Sequence, residues 1–518
     1  MISFITIALV GVFIAGIYSW RTYEVPREAL VVGAAILIGL FQLRSLPFFI
    51  YLMLIWWLLS SLASKRSDIA LKEFMFFCCA VLLAWMAVSS GNFRLGLQLI
   101  VLGALLNCIY GLAQNLLRWE PMKRSANALH HYSIGFVGNE NMLGNWLIPM
   151  PFVMLWLGGW WQLGIPLVLL TIYRTRCRTA MVGLAIATVC YISAQVGWVF
   201  ALVDVAFFGL MFWLLVVVPK LITWGESTLK ERTNYWRIAL DNLPKASVLG
   251  LGFNVVKVMV PFSQRHLNES SNGKFLAPHN YKDPYPQRVH NDYLQMVLDI
   301  GLLGAILTWF LPIMAVILGW GDPLSFGLVG LLIAGLGFHC FSIRPINVII
   351  WVLTFYLLTT HSILLMLSVA VPAWAAFPLL ITLAYRYTFR WTMFDITFQK
   401  YFRTQNIAYV HKALRWWPTS SAAHTWAGRH CVMVGDTTNI FNYSIRALTY
   451  NDGEQRMWEL WNNLGTACAV NGAFGLAAYC SQESLNFWPH YETAKKSLEA
   501  NSKLALTFPI HMEMIKPK

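Results

Sequence analysis

Long apolar runs separated by short polar turns fill the first three quarters of this chain. They fall at 2–19, 29–43, 47–63, 70–89, 95–117, 141–158, 160–173, 179–197, 199–219, 293–319, 323–340, 346–369 and 371–388. A membrane-spanning helix needs about 20 mostly apolar residues, and since several runs are short or abut, the pattern predicts about 11–13 spans. Lipid offers no partners to backbone N–H and C=O groups, so runs of this kind must be helices. The expected fold is an all-α polytopic membrane protein.

The pattern changes twice. Residues 220–288 are a polar segment between spans, far longer than the roughly 12–15 residues beyond which a loop usually carries function. Inside it, Ser227 can cap a helix with Leu229, Tyr235, Trp236, Ile238 and Leu240 at its apolar and aromatic positions, and Pro244 ends that helix. Gly250 and Gly252 mark a turn, and Pro278, Pro284 and Pro286 exclude a helix from 277–286. Beyond about 389 the periodicity is helical without a span. There Ala413-Leu414…Pro418, Ala447-Leu448…Asn451 and Ser484-Leu485…Pro489 recur at spacings of 34 and 37 residues, a period similar to the tetratricopeptide helix pair. Ala422, Ala423, Ala427, Ala467, Ala469, Ala477 and Ala478 would let paired helices approach closely. Two domains are expected: a transmembrane domain over 1–388, carrying the 220–288 loop, and a helical repeat-like domain over 389–518.

Composition agrees. The 518 residues are 58% hydrophobic and 12% charged, where soluble domains carry roughly 25% charged residues. The net charge of +14 sits in loops between spans, which points to a phosphate-bearing ligand at a membrane surface, not to nucleic acid. The first run lacks a basic leader and a small-residue cleavage site, and reads as a retained helix. Nine cysteines show no metal-type spacing. Cys431, Cys468 and Cys480 lie beyond the last span and leave room for one disulfide.

The chemistry gathers where the polar loop meets a span, in Arg288-Val289-His290-Asn291-Asp292-Tyr293-Leu294-Gln295. On a helix starting near 290, Asn291, Gln295 and Asp299 share one face, and Gly301 and Gly304 admit a closely packed neighbour. Such a stripe must face a cavity or partner helices. A lone histidine at a loop–helix junction is more often a cap than a catalyst; the stripe, Arg288 and the long loop favour chemistry here. A second basic cluster is Arg174-Thr175-Arg176-Cys177-Arg178, and a third loop carries His130, His131 and Gly138-Asn139-Glu140-Asn141. There is no Asp-x-Asp, phosphate loop, His-Glu-x-x-His or dinucleotide fingerprint, so neither a metal nor a cofactor is expected.

The string His290-Asn291-x-x-Leu294-x(4)-Asp299-x-Gly301-x-x-Gly304 resembles the signature of the O-antigen ligase and polymerase superfamily, bacterial membrane glycosyltransferases that use polyprenyl-diphosphate-linked glycans. Other segments resemble that family's in the same order: Tyr110-Gly111-Leu112-Ala113-Gln114, Gly138-Asn139-Glu140-Asn141-Met142-Leu143-Gly144, Cys177-Arg178-Thr179-Ala180, and Arg232…Trp236 followed by Gly250-Leu251-Gly252. The resemblance covers roughly 95–345. Asp299 stands where glutamate is usual, Cys177 replaces a serine, and His279-Asn280 is a second His-Asn pair.

The resemblance implies transfer of a glycan from a polyprenyl diphosphate to an acceptor hydroxyl: a growing glycan, lipid A core or a protein. Guanidinium groups suit a diphosphate leaving group. Arg178 and Arg288 are the first candidates, Arg232 and Arg265 the next, with Arg174 and Arg176 as auxiliaries. His290 would act on the acceptor hydroxyl, and Asn139, Asn141, Asn291, Gln295 and Asp299 would line the substrate site. Each arginine has a plainer use as a headgroup anchor. The family setting is the bacterial inner membrane with the site facing outward; nine spans before the loop put it there when the N-terminus is cytoplasmic. The positive-inside rule taken alone favours the inverse, since Lys65, Arg66, Arg118, Lys123 and Arg124 then lie outside. A total of 13 spans places the tail outside, 12 places it in the cytoplasm. Repeats of the tail's kind usually bind peptides, which suggests a protein partner. A flippase or transporter of lipid-linked glycans is the competing reading, but ionisable residues cluster at span ends, not along a path.

Overall fold

The structure is a computed structural model that describes residues 46–89, 93–118, 133, 135, 139–196, 227–271, 288–361, 368–369, 377–451 and 456–507. The apolar runs at 2–19, 29–43 and 199–219, the stretch with His130 and His131, and the proline-rich segment with His279-Asn280 lie outside these residues. The chain forms two compact units: 1–226, 246–253 and 289–388 in the first, and 227–245, 254–288 and 389–518 in the second.

The first unit is helical. Its described helices are α1 (Phe48–Ala63), α2 (Ser67–Ser89), α3 (Phe93–Leu117), α4 (Glu140–Leu147), α5 (Met150–Leu157), α6 (Ile165–Thr175) and α7 (Arg178–Val196). The second unit's α8 (Ser227–Asn242) and α9 (Val256–Ser270) come next in the chain, followed by the first unit's α10 (Asp292–Leu318), α11 (Pro323–Ala334), α12 (Arg344–His361) and α13 (Phe377–Ala384). A two-residue antiparallel pairing sets Leu46 opposite Val369. Helices α2, α3, α7 and α10 are long and apolar enough to cross a bilayer, and α1, α11 and most of α12 are shorter apolar helices. One face of α10 leaves Leu302, Ile306 and Ile317 exposed. Water would not tolerate such a face, whereas lipid solvates it. This is a polytopic all-α membrane protein.

Two expected spans come out differently. The run 141–158 is divided into α4 and α5 at Ile148-Pro149, where proline withholds a helical N–H. The run 160–173 begins as a 3₁₀ turn, Gly159–Gly164, and only then becomes α6. At 1.5 Å per residue α6 is roughly 16 Å long, well short of a hydrocarbon core.

Phe253 anchors the 246–253 turn in the first unit. Its ring is buried against Phe77 and Trp57, at centroid distances of 4.9 and 5.5 Å. The neighbouring helices are sewn together by Trp57 Nε1 donating to Thr308 Oγ1 at 2.9 Å.

The second unit contains α8 and α9 from the loop together with α14 (Arg390–Thr404), α15 (Ala408–Trp416), α16 (Ser421–Val434), α17 (Thr437–Thr449), α18 (Met457–Val470), α19 (Phe474–Phe487) and α20 (Glu492–Thr507). The loop helix runs from Ser227 to Asn242 and gives way to a 3₁₀ turn at Leu243-Pro244-Lys245. In the tail, Ser421 Oγ donates to the Ala447 carbonyl at 2.6 Å and Ser484 Oγ to the Trp458 carbonyl at 2.7 Å. These bonds join the start of one helix to the end of the next, in both cases between positions 26 apart. The second pair stands 37 residues after the first, with donor and acceptor exchanged. Ala423, Ala427, Ala467 and Ala477 are buried in these seams. All nine cysteines are thiols, so no disulfide links Cys431, Cys468 and Cys480.

Candidate active site

Helix α10 starts where sequence places it. Asn291 is its N-cap, the side chain accepting the Leu294 N–H at 2.9 Å. The same side chain donates through Nδ2 to the Leu336 carbonyl at 3.0 Å. Asp292 donates its N–H to the Gly335 carbonyl at 2.8 Å, and its buried carboxylate accepts the Phe341 N–H at 3.1 Å. The Tyr293 hydroxyl donates to the Leu332 carbonyl at 2.9 Å. Three successive residues thus clamp the start of α10 to the end of α11 and the turn beyond it. His290 precedes the cap with φ of 57°, a left-handed conformation that histidine tolerates better than most side chains. Its half-buried ring lies 4.8 Å from that of His339, edge to face, and 6.2 Å from Phe338. His339 is a partner the sequence reading missed, since it falls inside the apolar run 323–340.

The polar stripe exists, and it is internal. Gln295 accepts the Val289 N–H at 3.0 Å and donates to Asp299 Oδ1 at 2.9 Å. Both side chains are buried. Gln295 and Asp299 therefore hold the His290 turn onto its helix from behind.

Gly304 meets Trp56 of α1, as a close-packing glycine should. Gly301 does something else: with φ of 74° and ψ of 168° it breaks α10. A helix break strips the preceding carbonyls of their donors. Leu298 and Asp299 carbonyls accept the N–H groups of Leu251 and Gly252, both at 2.8 Å. The Ile300 carbonyl accepts Trp56 Nε1 at 2.9 Å, and Ser60 Oγ donates to the Asp299 carbonyl at 3.1 Å. The fit excludes side chains: a Cβ on Gly301 would collide with the Val248 carbonyl, and one on Gly250 would stand 2.5 Å from the Asp299 carbonyl. The Gly250-Leu251-Gly252 and Asp299-x-Gly301 motifs are the two halves of one backbone joint.

The basic turn is organised by asparagines. Asn139 caps α4, accepting the N–H groups of Asn141 and Met142. Asn145, fully buried, donates to Cys177 Sγ at 3.3 Å and Thr179 Oγ1 at 3.1 Å, and Cys177 Sγ donates to the Asn141 carbonyl at 3.7 Å. Cysteine thus serves as the hydrogen-bonding group where the family pattern has serine. Asn145 is a second residue the sequence reading missed, although it sits one helical turn after Asn141. Gly144 lets the two segments touch, since a Cβ there would stand 2.6 Å from the Cys177 Cβ. Upstream, Gln114 accepts the Gly135 N–H at 2.9 Å, fixing Gly135 against α3.

Arg174 and Arg176 are exposed at the C-terminal end of α6, and half-buried Arg178 is the first residue of α7. Cations suit a helix C-terminus, whereas at an N-terminus the dipole repels them and favours an anion. Helices α7 and α11 run antiparallel. Gln195 donates to the Gly321 carbonyl at one end, and in the middle a Cβ on Gly183 would stand 2.5 Å from the Gly330 carbonyl. Five residues before Gly183 is Arg178; five after Gly330 is Gly335, which holds Asp292. Arg178 and the His290 turn consequently lie at the same end of one helix pair.

The first unit holds Asn139, Asn141, Arg174, Arg176 and Arg178 as well as His290, Asn291, Gln295 and Asp299. Arg232, Arg265 and Arg288 belong to the second unit. There Arg265 is engaged by Glu269 and Glu483, each at 2.9 Å. Among the described residues no group of three or more His, Cys, Asp or Glu side chains is placed to hold a metal ion.

Comparison with known proteins bears on the same residues. No curated protein and no solved structure matches the chain. Residues 163–309 match the family described as O-Antigen ligase. That stretch holds the Arg178 and His290 turns alike, so the match supports the resemblance to the O-antigen ligase and polymerase superfamily over those residues.

Proposed function

We propose that the protein is a membrane glycosyltransferase that moves a glycan from a polyprenyl diphosphate to an acceptor hydroxyl, with its site on the extracytoplasmic face of the inner membrane. The observation that supports this reading is that the Arg178 turn and the His290 turn lie at the same end of the α7–α11 pair. The diphosphate departs as the glycosidic bond forms, and its growing negative charge is best met by fixed guanidinium donors. Arg178, with Arg174 and Arg176 beside it, supplies that charge in the first unit; Arg288 and Arg232 are further candidates. An anion near Arg178 also relieves its unfavourable position at a helix N-terminus. His290 takes the acceptor proton, a contribution worth typically 10²–10⁴-fold. Asn139, Asn141 and Asn291 are occupied as caps, and Gln295 and Asp299 are buried, so these act by shaping the two turns.

The acceptor is a growing glycan, lipid A core or a protein hydroxyl. The repeating Ser421 and Ser484 seams favour a tetratricopeptide-like tail, and with it a protein acceptor or partner. The test is reconstitution with a polyprenyl-diphosphate glycan and each acceptor class, comparing wild type with His290→Ala and Arg178→Ala. Loss of transfer in both variants is expected. Transfer that survives both removes the catalytic assignment, and lipid flipping without bond formation means a transporter.

A further inference from the structure

The second unit joins parts of the chain that sequence keeps far apart. Helices α8 and α9 come from the polar loop, and α14–α20 follow the last apolar run. The junction is specific. Arg265 on α9 donates through Nη1 to Glu483 on α19 at 2.9 Å, and through Nε to Glu269 at 2.9 Å. Its guanidinium lies 5.6 Å from the centroid of the Phe487 ring, which Phe262 meets edge-on at 5.7 Å. The Glu483 side chain is only 15% exposed. A half-buried carboxylate of this kind is costly to leave without its partner.

The loop half is itself rigid. Asp241 on α8 is held by Lys245 Nζ at 2.9 Å and by His266 Nδ1 at 2.8 Å, and Ser263 Oγ donates to Asn242 Oδ1 at 3.1 Å. A polar helix pair braced in this way cannot reach across a hydrocarbon core about 30 Å thick to touch a polar tail on the other side. Loop and tail must share a face.

We propose that the C-terminal helical unit lies on the same membrane face as the 220–288 loop, and that Arg265 is a positioning residue that fastens the α8–α9 hairpin to the tail. The chain between Arg288 and Phe389 then crosses the membrane an even number of times. Since α10 is one crossing, one or all three of α11, α12 and the 371–388 run supply the rest. If all three cross, the stretch from α10 to the tail makes four crossings and the tail returns to the face of the loop. The positioning role rests on the transfer reaction proposed above; the shared face does not.

The shared face is tested on the full chain in cells, with a membrane-impermeant maleimide applied to Ser270→Cys at the end of α9 and Lys496→Cys on α20. Both positions are exposed, and wild type sets the background from the native thiols. Labelling of both in intact, outer-membrane-permeabilised cells is expected. Labelling of both only after lysis keeps the shared face but refutes an outward site. Labelling of one before lysis and the other only after it overturns the proposal. For the positioning role, Arg265→Gln and Glu483→Gln are each expected to lower transfer about fivefold to tenfold without raising the donor KM, and the double variant no further, because coupled partners are not additive. Glu483→Asp should restore most of the rate. A raised donor KM for Arg265→Gln alone, or losses that multiply, would make Arg265 a diphosphate ligand instead. An inactive wild-type preparation leaves the labelling result intact, so the two readings fail separately.

Discussion

Replacing Gly301 by alanine tests the joint between α10 and the 250–252 turn. Two terms add. At φ of 74° and ψ of 168° the backbone is in a region essentially reserved for glycine, and occupying it with another residue costs about 1–3 kcal/mol. A Cβ would also strike the Val248 carbonyl, and relieving that contact pulls the turn off the helix. The Leu251 and Gly252 hydrogen bonds, both 2.8 Å, are then lost; each is worth about 0.5–1.5 kcal/mol, or more where a buried carbonyl is left unsatisfied. The total is about 2–6 kcal/mol, a large share of the roughly 5–15 kcal/mol that holds a typical protein folded. Gly158 is the matched control: its φ of 71° and ψ of −177° are similar, but nothing stands within 4 Å of an added Cβ. Gly158→Ala should therefore show the backbone term alone. The assay is thermal unfolding of the detergent-solubilised protein with glycan transfer measured in parallel. Equal destabilisation by the two substitutions would refute the argument, because the joint would then contribute nothing beyond glycine's conformational freedom.

Asn145→Leu should loosen the Cys177–Arg178–Thr179 turn by removing bonds worth about 1 kcal/mol each, lowering transfer while Cys177→Ser stays near wild type; an active Asn145→Leu enzyme would end that account. Ser421→Ala and Ser484→Ala should each destabilise the tail by about 1–2 kcal/mol, read as earlier unfolding of the tail by limited proteolysis, and unequal effects would count against a repeated seam. Burial holds the His424 imidazole below its ordinary value of 6.5, outweighing the hydrogen bond to the Pro418 carbonyl, and Arg446 adds to the depression. Its other ring nitrogen has no hydrogen-bond partner, so charging the ring would bury an unsatisfied donor. The unfolded chain then binds a proton the folded one refuses, so this contribution is intact above about pH 6.5 and declines as pH falls toward the folded-state value. His424→Gln should flatten that acid-side loss, measured as Tm against pH for the full chain.

Much of this architecture was readable from residue order. The long runs of α2, α3, α7 and α10 announce themselves because lipid demands continuous apolar stretches, and the Asn291 cap, the Gln295–Asp299 pair and the Ser227 helix follow from local periodicity. Where the reading failed, distant contacts decided. Whether a glycine bends a helix or merely admits a neighbour depends on what meets it, and Gly301 is met by Val248, more than fifty residues away in sequence. The fate of Arg265 was equally hidden, since its partner Glu483 lies beyond four apolar runs. His339 and Asn145 carry no spacing signal of their own; only folding puts one beside His290 and the other against Cys177 and Thr179. Proline at 149 and the 3₁₀ turn at 159–164 left three short helices where hydropathy predicts two spans, because hydropathy counts residues and ignores missing N–H groups.

The glycine seam of α7 and α11 acts as a vertical ruler. With Gly183 pressed on Gly330, neither helix can ratchet past the other, and a slip of a single turn would shift Arg178 by about 5.4 Å relative to the His290 corner. A diphosphate and the hydroxyl that displaces it tolerate no such offset. Bulk added at this seam would change the register at which the Arg178 and His290 ends of the pair stand.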